Sequence, residues 1–455
     1  MQRRIFLREA TIASLGFIAL SRCTQNIEGK VSQPKTLSLL TDPDAYMDLP
    51  EGFQYKIISK KGAQMSDGFF VPGRPDGMGT FRLDDQRVII VRNHENSPAP
   101  LDNSPFGPEN ELLSQVASEK LYDLGRSEMP GLGGTTTLIY NETEGVVERE
   151  FLSLAGTYRN CAGGVTPWNS WLTCEEDTTP QGELVEKNHG YVFEVKAQEA
   201  AEIVAPQPIK AMGRFNHEAV AVDPKTGIVY QTEDQGDGLI YRFVPQVKGD
   251  LHQGGQLQVL AIKGQKSMDT RNWEQTTVER NISFEVEWLD IDDVESPEDD
   301  LRYRGFELGA ARFARGEGMW MGDGEVFFAC TNGGPNQFGQ VFRYQLSDYE
   351  GQAAEAEQPA KLELYLESED KSVLHMCDNL TIAPNGNLFL CEDNGEVNRI
   401  HFINAKGEIF LFAINQSSKS EFAGAVFSPS GKTLFVNIQE NGDTLAITGP
   451  WDQLV

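Results

Sequence analysis

CDNLTIAPNGNLFLCEDN, residues Cys377–Asn394, states the grammar of the chain: a short strand, a Pro-Asn-Gly turn, a second β-rich run, then carboxylates where that run stops. Downstream the phrase returns as AGAVFSPSGKTLFVNIQEN (Ala423–Asn441) and upstream as GEGMWMGDGEVFFACTN (Gly316–Asn332). Further upstream lie HEAVAVDPKTGIVYQTEDQ (His217–Gln235), GGVTPWNSWLTCEED (Gly163–Asp177) and MGTFRLDDQRVIIVRNHE (Met78–Glu95). A β-rich phrase in six copies marks a β-propeller, whose blades are small sheets around a channel. The fold expected is all-β, a six-bladed β-propeller with short helical insertions, over residues 40–455. Inner strands that end in acid at one rim make an oxygen-rich funnel suited to hard cations such as calcium.

Composition narrows the partners. The 455 residues carry 68 acidic against 39 basic side chains, a net charge of −29, which excludes the basic patches that nucleic-acid binding requires. Most of that acid is the solvated surface of a soluble protein. The 44 glycines and 22 prolines are spread along the chain, as many short strands and turns demand. A propeller closes its own sheets, so a monomer is expected.

Residues 1–23 read as an address. Arg3-Arg4-Ile5-Phe6-Leu7-Arg8 precedes an apolar run, Ala10 to Leu20, too short to span a bilayer. The twin arginines resemble a twin-arginine export signal, which places the protein in the periplasm or outside the cell. Leu20-Ser21-Arg22-Cys23 is similar to a lipoprotein box with a lipid anchor at Cys23, although Arg22 departs from it. Residues 24–39 follow as a polar tether. The remaining cysteines, Cys161, Cys174, Cys330, Cys377 and Cys391, have irregular spacing and do not form a small disulfide framework. Cys174 stands directly before Glu175 and Glu176. Its thiolate is unfavourable there unless a cation neutralises it, and the alternative is a buried strand cysteine with its glutamates in water. Spacing alone leaves both open.

The run Asn160-Cys161-Ala162-Gly163-Gly164-Val165-Thr166-Pro167-Trp168, continuing into Trp171-Leu172-Thr173-Cys174-Glu175-Glu176, resembles the central motif of the PhoX-type alkaline phosphatases. The likeness extends through Gly133–Thr137, Gly213–Ala219 and Gly424–Pro450, nearly the whole mature chain. It implies a six-bladed propeller carrying ferric iron and calcium, which removes phosphate from organic monoesters outside the cytoplasm. It also implies Cys174 as the thiolate ligand of iron, Glu218 and Glu317 as carboxylate ligands, and Arg315 as a catalytic guanidinium that forks onto phosphate.

The repeat position adds Glu95, Glu175, Glu176, Glu233, Asp234, Glu392 and Asp393 as metal-ligand candidates, since each closes an inner-strand phrase. Strand alternation lets only one of two adjacent acids face the channel. Helical spacing of Leu112, Leu113, Val116 and Leu121 predicts an amphipathic helix within residues 105–129. Two other functions remain in view: a calcium-dependent lactonase or esterase on the same architecture, and a propeller that only binds. The thiolate and Arg315 favour the phosphatase.

Overall fold

In each copy of the repeat the first strand lines the centre and the next strands step outward, as alternation of buried β-branched and aromatic side chains directs. A computed structural model describes residues 35–454; the export signal, Cys23 and the tether up to residue 34 lie outside them. The six first strands are Pro75–Arg82, Asn160–Val165, His217–Val222, Gly316–Met321, Cys377–Ile382 and Phe422–Phe427. Each packs against the next in that order, and the last returns to the first, so they close a ring. The architecture is an all-β, propeller-like arrangement.

The count of blades needs correction: the hydrogen bonds define five sheets, not six. Four are separate, and the third and fourth copies share one nine-stranded sheet. The joint is the strand Ser283–Asp290, outside the repeated phrase, which pairs with Gly255–Ile262 on one side (Val286 opposite Ile262) and Lys361–Glu367 on the other (Phe284 opposite Leu362). The end strands of this sheet, His217–Val222 and Gly316–Met321, pack against each other, so it curls nearly closed. A core of Tyr230, Ile240, Leu260, Phe313, Phe328 and Phe342 lies among its strands.

The ring is latched by the early chain. Gln54–Lys60 pairs antiparallel with Asp443–Thr448 and completes the last sheet. Lys35–Thr36 runs parallel to Phe410–Leu411, and Leu39–Leu40 pairs with Leu49–Pro50. Residues 35–39, expected in the tether, are therefore already held to the sheets. The expected helix within 105–129 is instead three 3-10 turns, at Leu113–Gln115, Ser118–Lys120 and Gly125–Ser127. Pro105, Pro108 and Pro130 with two glycines interrupt any longer helix. Val116 and Leu121 still bury against Phe106 and Leu152. Among the described residues the one α-helix is Leu301–Leu308, in the acidic excursion between strands.

Candidate metal centre and active site

All six first strands carry the same irregularity near their start: two residues oppose one on the neighbouring strand, a β-bulge. A bulge bends the strand and re-aims a side chain. In five copies the residue re-aimed is Asp76, Cys161, Glu218, Glu317 or Asp378. Glycine follows two of them so that strands can close up: a Cβ at Gly77 would lie 2.7 Å from the Cα of Ala162, and one at Gly318 would lie 2.8 Å from the carbonyl oxygen of Asp378.

These side chains form three overlapping groups, Asp76–Glu95–Cys161, Cys161–Glu176–Glu218 and Glu218–Glu317–Asp378. Within each, the candidate ligand atoms lie within 4.8 Å of one another, and Cys161 and Glu218 are each shared by two groups. Above them opens a cavity of about 140 Å³ whose lining adds Asp234, Asp393, Glu421 and Gln439. Burial pushes the carboxyl groups of Glu218, Glu317, Asp378 and Glu421 well above the usual range, and their neighbours' charges add to it. Asp76 is raised to about 7 by burial and by Glu95. The Cys161 thiol rises likewise through burial, then Asp76 and Glu218. Glu218 is 1 % exposed, and its Oε2 has no hydrogen-bond partner among the described residues. Crowded, under-partnered acids around one thiol fit bound cations: their positive charge supplies what the protein's own donors do not.

Three arginines meet this acid. Arg74, Arg159 and Arg315 precede the first strands of copies one, two and four, all with left-handed backbone (φ 44, 44 and 50). That conformation costs roughly 1–3 kcal/mol in a side-chain-bearing residue and concentrates at functional sites. Arg315 forks onto Asp234 through Nε and Nη2, both at 2.8 Å, and Nη2 also reaches Glu317 at 2.6 Å. Arg159 Nη2 meets Glu95 at 2.8 Å and Glu176 at 2.5 Å. Arg74 holds Glu95 at 2.5 Å and Glu440.

Of the residues read from the sequence, Glu95, Glu176, Glu218, Asp234, Glu317, Asp393 and Arg315 come together at the channel. Four do not. Cys174 packs in an apolar cluster with Leu172, Val192 and Phe215, and burial alone raises its thiol, beyond the range of a ready thiolate. Alternation along Ser170–Glu175 turns it into the core. Glu175 accepts from the N–H groups of Tyr158 and Gly190 (both 2.9 Å) and from His189 Nδ1 (2.6 Å). Glu233 accepts from Leu239 N–H and the Tyr241 hydroxyl. Glu392 accepts from His375 N–H, His401 and Arg399. In each of these acid pairs the strand's last residue braces the scaffold, and the next enters the channel. The sequence reading missed Asp76, Cys161, Asp378, Glu421, Arg74 and Arg159. The signal was present: Glu218 and Glu317 hold the second place of their first strands, and the same place in the other copies gives Asp76, Cys161 and Asp378.

Residues 35–442 match the family profile described as Alkaline phosphatase PhoX. The chain belongs to the PhoX alkaline phosphatase family. It is thereby an enzyme of the phosphoric monoester hydrolase class, and PhoX enzymes are metal-dependent phosphatases. Among solved structures, Pseudomonas fluorescens PhoX in complex with vanadate, a transition state analogue, is 18 % identical, with 92 % of this chain and 98 % of that chain covered and a TM-score of 0.65. A gluconolactonase from Xanthomonas campestris is 11 % identical (88 % and 96 % covered, TM-score 0.42). Virginiamycin B lyase from Staphylococcus aureus is 9 % identical (87 % and 99 % covered, TM-score 0.40). No curated protein sequence matches. The PhoX likeness agrees with the ring of first strands described above.

Proposed function

We propose that this PhoX family member is an exported phosphatase that hydrolyses organic phosphate monoesters at an iron- and calcium-bearing cluster in the channel. One observation carries the reading: a single thiol, Cys161, and a continuous chain of buried carboxylates converge beneath the Arg315 guanidinium. Iron(III) accepts thiolate beside hard anionic oxygens, so Cys161 with its carboxylate neighbours Asp76, Glu95, Glu176 and Glu218 would hold it. Calcium takes oxygen alone, which suits Glu218, Glu317 and Asp378. When bound, such a cluster supplies Lewis acidity to phosphoryl oxygens and lowers the pKa of water.

The chain's own residues do the rest. Asp234 and Glu317 hold Arg315 through its Nε and Nη2, which leaves Nη1 open to a phosphoryl oxygen and to the charge that builds in the transition state. Cys161 argues against an oxygen-only lactonase site. Elemental analysis of protein purified without chelators, paired with turnover of p-nitrophenyl phosphate and of a gluconolactone, tests the reading. Iron with calcium and phosphatase turnover is the expected result; calcium alone with lactone turnover would overturn it. Export rests on the twin arginines, and a cytoplasmic location of the native protein on cell fractionation would exclude it.

A further inference from the structure

Arg159 repeats Arg315 in six respects. It stands at the same place in its copy of the repeat, directly before the first strand, and has the same left-handed backbone. Its side chain is 35 % exposed against 30 % for Arg315. Its Nε and Nη2 are anchored on the channel wall, to the Glu176 carbonyl and to the Glu176 and Glu95 carboxylates, as those of Arg315 are anchored on Asp234 and Glu317. In both, Nη1 has no hydrogen-bond partner among the described residues, and both line the same cavity. Arg74 shares the backbone but not the rest. Its Nε, Nη1 and Nη2 are all engaged, by the Glu95 carbonyl, Glu440 and Glu95, which makes it a brace.

We infer that Arg159 is a second phosphoryl-binding guanidinium, acting with Arg315 on one phosphoryl group, and that the pair selects monoesters over diesters. The inference rests on the phosphatase reading above. Ring order places the two arginines two first strands apart, so they approach the channel axis from different sides. Both guanidiniums line this one cavity of about 140 Å³, so an anion that enters it lies between them. Both open Nη1 groups therefore meet the same anion. A monoester dianion offers three non-bridging oxygens, enough for two guanidiniums and the metal site together. A diester offers two oxygens and a single charge, so it cannot satisfy all three. Carboxylates hold both guanidiniums in place before substrate arrives, which limits the ordering cost on binding.

The test uses metal-loaded protein and the variants Arg159→Lys, which keeps charge without the planar fork, and Arg159→Ala. Steady-state kcat/KM is read on p-nitrophenyl phosphate and bis(p-nitrophenyl) phosphate, together with orthophosphate inhibition, the thermal shift caused by orthophosphate, and metal content. Expected are retained metals, a roughly 100-fold fall on the monoester, a fall of less than about 5-fold on the diester, and orthophosphate inhibition about tenfold weaker. Equal losses on both esters would overturn the inference, as would unchanged orthophosphate inhibition. Metal loss in both variants would also overturn it, since Arg159 would then serve only to place Glu95 and Glu176. Absence of turnover in the parent defeats the phosphatase reading instead; the orthophosphate thermal shift still reports whether Arg159 binds the anion.

Discussion

Glu175 and Glu176 are neighbours in the chain and opposites in the structure. Glu175 is fully buried and accepts hydrogen bonds from three backbone N–H groups and from His189. Glu176 reaches the channel, where burial and Glu95 push its carboxyl well up. The contrast recurs at Glu233-Asp234 and Glu392-Asp393, and it divides the acid of this site into two rings. One ring has its donors built in and holds loops; the other is short of donors and calls for cations. A strand end that places one residue in the scaffold and the next in the channel is the cause.

The sharpest break of the comparison exchanges the thiols. Cys161→Ser is expected to lose iron and two to three orders of magnitude in phosphatase activity, about 3–4 kcal/mol of transition-state stabilisation. Cys174→Ser should keep iron and turnover and lose about 1–3 kcal/mol of stability, because a hydroxyl is buried in an apolar cluster. Metal analysis and kinetics on the two variants decide. Full iron in Cys161→Ser would remove the thiol from the site.

This exchange also shows what the sequence could carry. The repeat, its β-rich phrases and the acid at their ends were legible because each copy spells them locally. The bulge was not: it is a pairing between strands, and it re-aims Asp76 and Cys161 inward, while alternation along its own strand turns Cys174 into the core. The merging of two copies was equally hidden, because Ser283–Asp290 lies outside the phrase and gains its role only through partners distant in sequence. Arg74 and Arg159 escaped, unlike Arg315, because left-handed backbone leaves no mark in residue type when the residue is not glycine.

The donor-rich ring can be probed through pH. His189 lies between Glu175 (2.6 Å) and Asp123 (3.3 Å), stacked on Tyr158 with centroids 3.6 Å apart. Burial opposes its charge, but Glu175 and Asp123 raise it to about 9 from the ordinary 6.5. A group raised on folding stabilises fully below its unfolded value and loses that contribution as pH rises through the folded one. The stability of the parent relative to His189→Gln should therefore shrink by about 3 kcal/mol between pH 6.5 and 9. A constant difference in urea titrations over that range would mean that His189 is neutral.

The channel ring should respond with the same sign, in a lower pH window. Asp76 is raised to about 7 from 3.8, so the metal-free fold favours its protonated form. Chelated protein is expected to lose stability as pH rises from 4 through 7, and calcium to reverse the loss. Ligand linkage is worth about 2.7 kcal/mol at a hundredfold excess over the dissociation constant. Magnesium, with its smaller octahedral shell, should not substitute. Equal rescue by both ions in thermal melts would contradict an oxygen-rich calcium site.

The smallest effect separates the two neighbours themselves. Glu175→Gln replaces an accepting oxygen with an amide that faces N–H donors, and a buried donor left unmatched costs about 1–3 kcal/mol. That loss should be the same with and without calcium, since Glu175 does not face the channel. Glu176→Gln weakens its ion pair with Arg159 but also relieves repulsion from Glu95, Asp234 and Glu317, so the stability of the chelated protein should change by less than about 1 kcal/mol. What it should reduce is the stabilisation gained on adding metal. Melting temperatures of the two variants, each measured with chelator and with calcium, read both outcomes. If Glu175→Gln lost its metal response while Glu176→Gln kept it, the assignment of the two rings would be reversed.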